Sequence, residues 1–412
     1  MIHHEELAAR YGTPLYVYDL DEISAARRDL FDALPEPFAL YYAIKANAHP
    51  DVVRAMREGE GRACRAEISS TGELAAALAA GFSGADCLYT GPGKTEGEVE
   101  EALAKGVRRF SAESAGDFRR IAATAERLGL VAECLLRVNS ASASATTSIR
   151  MTGRPSQFGF DAERLVEEAA QLTGTPGARI VGLHLFPLSN AQDEESLIAE
   201  FRGTIALAAR IQDELGIPFE LVDIGGGFAA PYGEPGERPV YRRLRRELED
   251  ALDEHLPTWR AGAPELACES GRYLTATCGS LAAEVVNVKD SRGKKFAILD
   301  AGINTFGGMS GLGRLLPPAV QLAHPERAER ETASLVGPLC TPGDVIGREV
   351  ELPVLRPGDL IVIPNAGAYG VTSSLLMFLG RPAPVEIAVR GGEVVSATRI
   401  EHHRVGEPAR LP

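Results

Sequence analysis

Lys45 stands where an apolar run, Phe38 to Ile44, gives way to the polar loop Ala46-Asn47-Ala48-His49-Pro50. A lysine leaving a buried strand can reach into a dry pocket. Desolvation there disfavours the ammonium, lowers its pKa and makes it an amine nucleophile. A solvated lysine just past a strand occupies the same position. Asp223-Ile224-Gly225-Gly226-Gly227-Phe228 also follows an apolar run. Its glycines let backbone N–H groups approach an anion, although a plain turn reads the same. It is not a GxGxxG, so no dinucleotide fingerprint is present. Glu269-Ser270-Gly271-Arg272 ends another apolar segment, and Cys340 sits in Gly337-Pro338-Leu339-Cys340-Thr341-Pro342-Gly343-Asp344. Taken singly, these are a strand-end glutamate and a small buried hydrophobe. Ser189 and Tyr369 are, singly, a capping serine and a packed aromatic.

Taken together, they carry a resemblance. Tyr42-Ala43-Ile44-Lys45-Ala46-Asn47 followed by Pro50 resembles the lysine segment of the alanine-racemase-fold (fold type III) pyridoxal-phosphate decarboxylases. Diaminopimelate, ornithine and arginine decarboxylases belong to that family. The matches run from Thr13 to Glu386. The resemblance implies that Lys45 carries pyridoxal 5'-phosphate as a Schiff base. It implies that Gly225, Gly226, Gly227, Ser189 and Tyr369 hold the phosphate, with Gly271 and Arg272 beside it. His184 and Phe186 fall at the two histidine positions of the family's Gly-Leu-His-x-His segment. Glu269 would face the pyridine nitrogen, where a carboxylate raises the pKa of the base. The pyridinium can then accept the electron pair left when carbon dioxide departs. Alanine racemases place an arginine there, so Glu269 favours decarboxylation. Cys340 matches the cysteine that protonates the carbanion from the second subunit, implying a homodimer with shared active sites. Glu67, Ser70 and Glu73, Gly91-Pro92-Gly93-Lys94, Arg137-Val138-Asn139 and Gln157-Phe158-Gly159 add weaker matches. Glu67 is expected near Lys45. No metal site is expected.

The departures bear on substrate. The histidine that stacks on the ring is replaced by Phe186, which can stack but brings no charge. Where diaminopimelate decarboxylases carry an acid after the loop cysteine, Thr341 and Pro342 stand here. A cationic distal group would lack its partner. Thr341, Asp344 and Arg314, which ends a glycine-rich stretch, are the expected substrate contacts. This combination resembles a subgroup that decarboxylates an aminoacyl thioester on an acyl carrier protein, as in the butirosin pathway. Decarboxylation of a free amino acid such as diaminopimelate or ornithine is the alternative. A non-catalytic relative would lose Lys45 or Cys340, and both are kept. Carrier proteins are acidic, so a basic run such as Arg242-Arg243-Leu244-Arg245-Arg246 would have to overcome the net charge of −14. As a solvated helix face it would instead pair with nearby acids.

These residues need a frame. From Phe38 to Glu269 apolar strands alternate with Ala/Leu/Glu-rich helices, among them Gly72–Ala80, Glu96–Lys105, Ser114–Leu128, Ala162–Leu172 and Tyr241–His255. That rhythm predicts an α/β (β/α)8 barrel with the chemistry on the loops after the strands. Beyond about residue 275 the segments become short and β-like, separated by Gly and Pro turns. The expected division is a cofactor-binding barrel over 25–275 and a C-terminal all-β domain of 276–412 joined by 1–24. With 412 residues, two domains are the natural expectation. The acidic charge argues against nucleic acid or anionic membranes as partners. No apolar run reaches the about 18 residues of a membrane span. The N-terminus shows no signal-peptide pattern. The six cysteines form no CxxC pair, which suits a reduced, cytoplasmic protein.

Overall fold

The computed structural model describes residues 3–140, 147–150, 155–186, 188–191, 193–307, 320–322 and 329–406, with backbone alone at 147–150, 188 and 189. The chain forms two compact units: Leu20–Pro231 with Gly236–Cys278, and Met1–Asp19 with Tyr232–Pro235 and Gly279–Pro412.

The first unit is a closed barrel. Its strands are β1 (Ala39–Ala43), β2 (Arg65–Ile68), β3 (Cys87–Tyr89), β4 (Arg109–Ala112), β5 (Ala132–Asn139), β6 (Ala178–Leu185), β7 (Leu221–Asp223) and β8 (Glu265–Ser270). Each pairs in parallel with its neighbours in sequence. β8 returns to β1 in the register Glu269↔Tyr41. The apolar content of these strands follows from burial on both faces. Tyr41, Leu88, Leu135, Val181, Leu221 and Ala267 form one interior cluster. Near the strand starts, charges of alternating sign interlock. Arg65 meets Glu265 at 2.6 Å, Arg109 meets Glu133 at 3.4 Å, and Arg179 meets Glu133 at 2.8 Å. That end of a barrel serves stability, which leaves the opposite end for chemistry.

The helices start where side chains can cap them. Ser70, Thr95, Ser114 and Asp193 each accept the N–H three residues on, opening helices Thr71–Ala79, Glu96–Ala104, Ala115–Arg127 and Glu194–Leu215. The helix expected from Tyr241 begins instead at Leu244. Tyr241 is taken up by an aromatic cluster with Phe228 and Tyr273, and its hydroxyl accepts from the Ala229 N–H at 3.0 Å. The helix expected over Ala162–Leu172 is shorter, Leu165–Ala170. Helix Leu20–Ala33 lies wholly in the barrel unit. Its buried Arg27 donates to the carbonyls of Ala55 and Met56 at 3.0 and 3.1 Å, so the division falls ahead of this helix rather than at residue 25.

The second unit is built on a mixed sheet. Strand Leu15–Asp19 lies between Gly279–Ser291, antiparallel, and Val385–Arg390, parallel. Leu15, Val17, Ala282, Val362, Val385, Ile387 and Val389 form its core, with Leu7, Ala8 and Tyr11 of helix His4–Tyr11 packed against it. A short helix, Ile303–Phe306, interrupts the β-rich stretch. Among the described residues no helix is long and apolar enough to cross a membrane.

Gly182 on β6 faces Leu221 on β7, where an added Cβ would lie 1.7 Å from the Leu221 carbonyl oxygen. The nearest atoms are Leu221 backbone, which has no flexible end to give way. Gly182→Ala is expected to cost about 1–3 kcal/mol of overpacking, read as a lowered thermal midpoint of the barrel unit.

Candidate active site

The residues with chemistry gather at the C-terminal ends of the barrel strands. β1 ends in a single 3-10 turn, Ile44–Ala46, which carries Lys45. Its Nζ donates to both oxygens of Glu67 at the end of β2, at 3.0 and 2.8 Å. Glu67 is buried, while the Lys45 side chain is 45% exposed, so the pair sits at a mouth rather than inside a core. Ser69 and Thr90 hydroxyls also donate to Glu67, which fixes its orientation. Behind it, Glu73 Oε2 accepts the Ser69 N–H at 2.6 Å. Burial, with the Glu67 charge beside it, pushes the Glu73 carboxyl up to about 7.

Deeper in, His184 ends β6, Asp223 ends β7 and Glu269 lies on β8; all are buried. One ligand-type atom from each lies within 4.8 Å of the others. His184 Nε2 stands 3.1 Å from Glu269 Oε1. The contact is off the line of a hydrogen bond, so that Glu269 oxygen has no donor. His184 Nδ1 meets the Ser111 hydroxyl at 2.7 Å. Burial alone would raise the Glu269 carboxyl, but the facing His184, with Lys45 and Arg137, holds it well below its ordinary value. Burial opposes the imidazolium, yet Glu269 and then Asp223 keep His184 above its ordinary pKa. Asp223 goes the other way: burial, with Glu269 adjacent, pushes it up to about 8.

The glycine turn after β7 passes close beneath these groups. Gly225 has φ +77° and Gly227 φ +110°. A Cβ on Gly225 would meet the Leu185 carbonyl at 2.3 Å, and one on Gly226 would meet the Glu269 carbonyl at 2.6 Å. The Phe186 ring would stand 3.2 Å from the Gly226 Cβ, so it lies against the turn. Glycine is therefore required by close approach as well as by conformation. Gly271, where a Cβ would come 2.8 Å from Ala46, joins the end of β8 to the lysine turn. Arg272 opens the short helix Arg272–Thr275.

The barrel unit thus brings together Lys45, His184, Phe186, Gly225, Gly226, Gly227, Glu269, Gly271 and Arg272. Ser189 pairs by backbone with Ile149; its side chain, like the whole of Arg314, lies outside the described residues. Tyr369 belongs to the other unit, in the left-handed region at φ +52°. Cys340 is there too, and is exposed, whereas the other five cysteines are buried. Burial pushes the Cys64 and Cys87 thiols up to about 12.

The structure also shows the partners of Asp344 and of the basic run. Asp344, expected to contact substrate, is buried, and its carboxylate accepts the Ile303 N–H at 2.8 Å and the Leu339 N–H at 2.6 Å. It ties the Cys340 loop to a distant segment. The basic run Arg242–Arg246 is largely neutralised: Arg243 pairs with Glu195 at 2.8 Å, Arg245 with Glu36 at 3.6 Å and Arg246 with Asp250 at 3.7 Å. Lys94, matched within Gly91-Pro92-Gly93-Lys94, is sealed inside the barrel unit against Asp117 at 2.8 Å and the Ser111 carbonyl at 2.9 Å. Sequence reasoning gave no task to Asp223 or Ser111. Asp223 stood beside the glycines in plain view, whereas Ser111 is one small polar residue in an apolar strand and carries no signal.

A buried carboxylate with an open oxygen, a lysine at the mouth and a close glycine turn fit a pyridine ring, a carbonyl and a phosphate. Fold and site define a barrel-type pyridoxal enzyme. The family description "Pyridoxal-dependent decarboxylase, pyridoxal binding domain" matches residues 20–276, and the chain belongs to that family. It is an amino-acid decarboxylase that uses pyridoxal 5'-phosphate. It is 33% identical, over 94% of its length and 91% of the relative's, to the L-glutamyl-[BtrI acyl-carrier protein] decarboxylase of Niallia circulans. It is also 33% identical, over 94% of its length and 89% of the relative's, to the diaminopimelate decarboxylase of Methanothermobacter thermautotrophicus. The crystal structure of Helicobacter pylori diaminopimelate decarboxylase complexed with L-lysine superposes with TM-score 0.81 at 27% identity, covering 95% of each chain.

Glu73 gives a stability test. Its carboxyl titrates near 7 folded and near its ordinary 4.5 unfolded. A folded pKa that is raised contributes stability at low pH and loses it as pH rises through the folded value. Glu73→Gln is therefore expected to raise the melting temperature relative to wild type more at about pH 8 than at about pH 5, as followed by thermal unfolding at both pH values.

Proposed function

We propose that this decarboxylase removes the α-carboxylate of an amino acid held through its side-chain carboxyl as a thioester on an acyl carrier protein. The observation that carries the reading is the state of the Cys340 loop. Thr341 and Pro342 are neutral, and the carboxylate of Asp344 is spent on two backbone N–H groups. The loop offers no free acid to a distal ammonium such as those of diaminopimelate or ornithine. The similarity to a relative named for an aminoacyl carrier protein supports the same reading.

When bound, pyridoxal phosphate supplies an electron sink for the pair released from Cα. The chain's own residues do the rest. Lys45 is the covalent anchor, and Glu67 accepts from its Nζ and orients it. Glu269, kept ionised beside His184, holds a proton on the ring nitrogen. Gly225, Gly226 and Gly227 let backbone N–H groups reach the phosphate, with Ser189, Arg272 and Tyr369 as further contacts. Phe186 supplies an apolar face against the ring. Cys340, the exposed thiol, delivers a proton to Cα across a homodimer with shared sites.

Mass spectrometry of products tests the substrate. The purified protein is offered free amino acids, and those with a side-chain carboxyl also as carrier-protein or pantetheine thioesters of that carboxyl. Loss of carbon dioxide from the thioesters alone is expected. Turnover of free diaminopimelate or ornithine would overturn the reading.

A further inference from the structure

Asp223 is fully buried at the end of β7, and the chemistry above does not use it. Its Oδ1 accepts the Gly225 N–H at 2.9 Å, which anchors the glycine turn. Its Oδ2 has no hydrogen-bond partner. The groups that act on it are Glu269 and Cys268 from β8, His184 from β6 and Glu67 from β2. Glu67 is already paired with Lys45, so two carboxylates and one imidazole are left to share a buried volume. Such a cluster is cheapest when its charges cancel. With Glu269 ionised and His184 protonated, the balanced state leaves Asp223 neutral, in keeping with its raised pKa.

A protonated ring nitrogen facing Glu269 upsets that balance. It adds a second cation to a site holding one anion. We propose that Asp223 is the reserve counter-ion of this site, losing its proton to solvent when the cofactor is loaded and becoming the anion that balances His184. The proton count is simple: one O–H of Asp223 breaks, its proton leaves to buffer, and two cations then face two carboxylates. Asp223 is thus a positioning residue that lets Glu269 serve the ring nitrogen undivided. The inference rests on Glu269 meeting that nitrogen.

Linkage fixes the sign. If loading releases a proton, affinity for the cofactor rises with pH wherever the empty site still holds that proton, by up to about tenfold per pH unit. The test uses the full chain stripped of cofactor, with pyridoxal 5'-phosphate as the probe. Calorimetry in buffers of different ionisation enthalpy counts protons released on binding by wild type and by Asp223→Asn. The expected result is about one proton more from wild type at about pH 6.5, with the difference gone at about pH 9.5. Equal counts at both pH values would overturn the proposal. Because Asp223→Asn could disturb the turn, a second measurement keeps Asp223 intact. In a Glu73→Gln chain, which lacks the other protonated carboxyl nearby, infrared difference spectra should show a protonated-carboxyl band lost on loading. Persistence of that band also overturns the proposal. Glu269→Gln tests the underlying reading separately. If Glu269 meets the nitrogen, this change shifts the pH titration of the bound cofactor's visible absorbance; if it does not, the titration is unmoved whatever Asp223 does.

Discussion

Glu269 is a carboxylate kept ionised where water does not reach, and the site depends on that. An uncompensated buried anion would take up a proton and lose its charge. His184 at 3.1 Å supplies the compensation. His184 in turn is fixed by the Ser111 hydroxyl, and the Ser111 backbone carbonyl accepts from the buried Lys94, itself paired with Asp117. One charge at the end of β8 is therefore supported by a chain of contacts reaching back to β4 and the helix that follows it.

The barrel makes this arrangement possible at low cost in chain. Parallel strands end on one rim, so residues distant in sequence converge without long loops. Lys45, Glu67, His184, Asp223 and Glu269 each occupy a strand end or the first turn beyond it. The opposite rim is closed by interlocked arginines and glutamates. Packing and charge pairing thus hold one end shut while the other keeps an unsatisfied carboxylate oxygen and an exposed amine. The glycine turn completes the division of labour. Side chains there would strike the carbonyls of Leu185 and Glu269, so only bare backbone fits at that rim.

What could be read from the sequence was what local pattern encodes. Lys45 at a strand end, three consecutive glycines and a glutamate before Gly271 were legible because each motif is complete within a few residues. The alternation of strands and capped helices was legible for the same reason. Ser111 was not, because its task is set by His184, seventy-three positions away. The partners of Asp344 were not legible either, because they are backbone N–H groups, one of them at Ile303. Tyr241 looked helical until Phe228 and Tyr273 were seen to claim it. The arginine run was expected to pair with acids close in sequence, and only the folded chain adds Glu195 and Glu36 to them. In each case the deciding partners are tertiary, and no local pattern announces them.

The Cys340 loop shows how such a partner bears on specificity. Asp344 has little room to turn outward. A Cβ on Gly302 would lie 2.3 Å from Asp344 Oδ1, and one on Gly337 would lie 2.4 Å from Oδ2, so the carboxylate fills space that only glycines leave open. Releasing it would also strand the Ile303 and Leu339 N–H groups, at the cost of buried unsatisfied donors. A substrate with a distal ammonium would have to meet a neutral Thr341-Pro342 stretch instead. A polar site that leaves a charge unpaired discriminates strongly against the ligand that carries it. A side chain whose far end is already closed as a thioester brings no such charge, and for it the neutral loop carries no penalty.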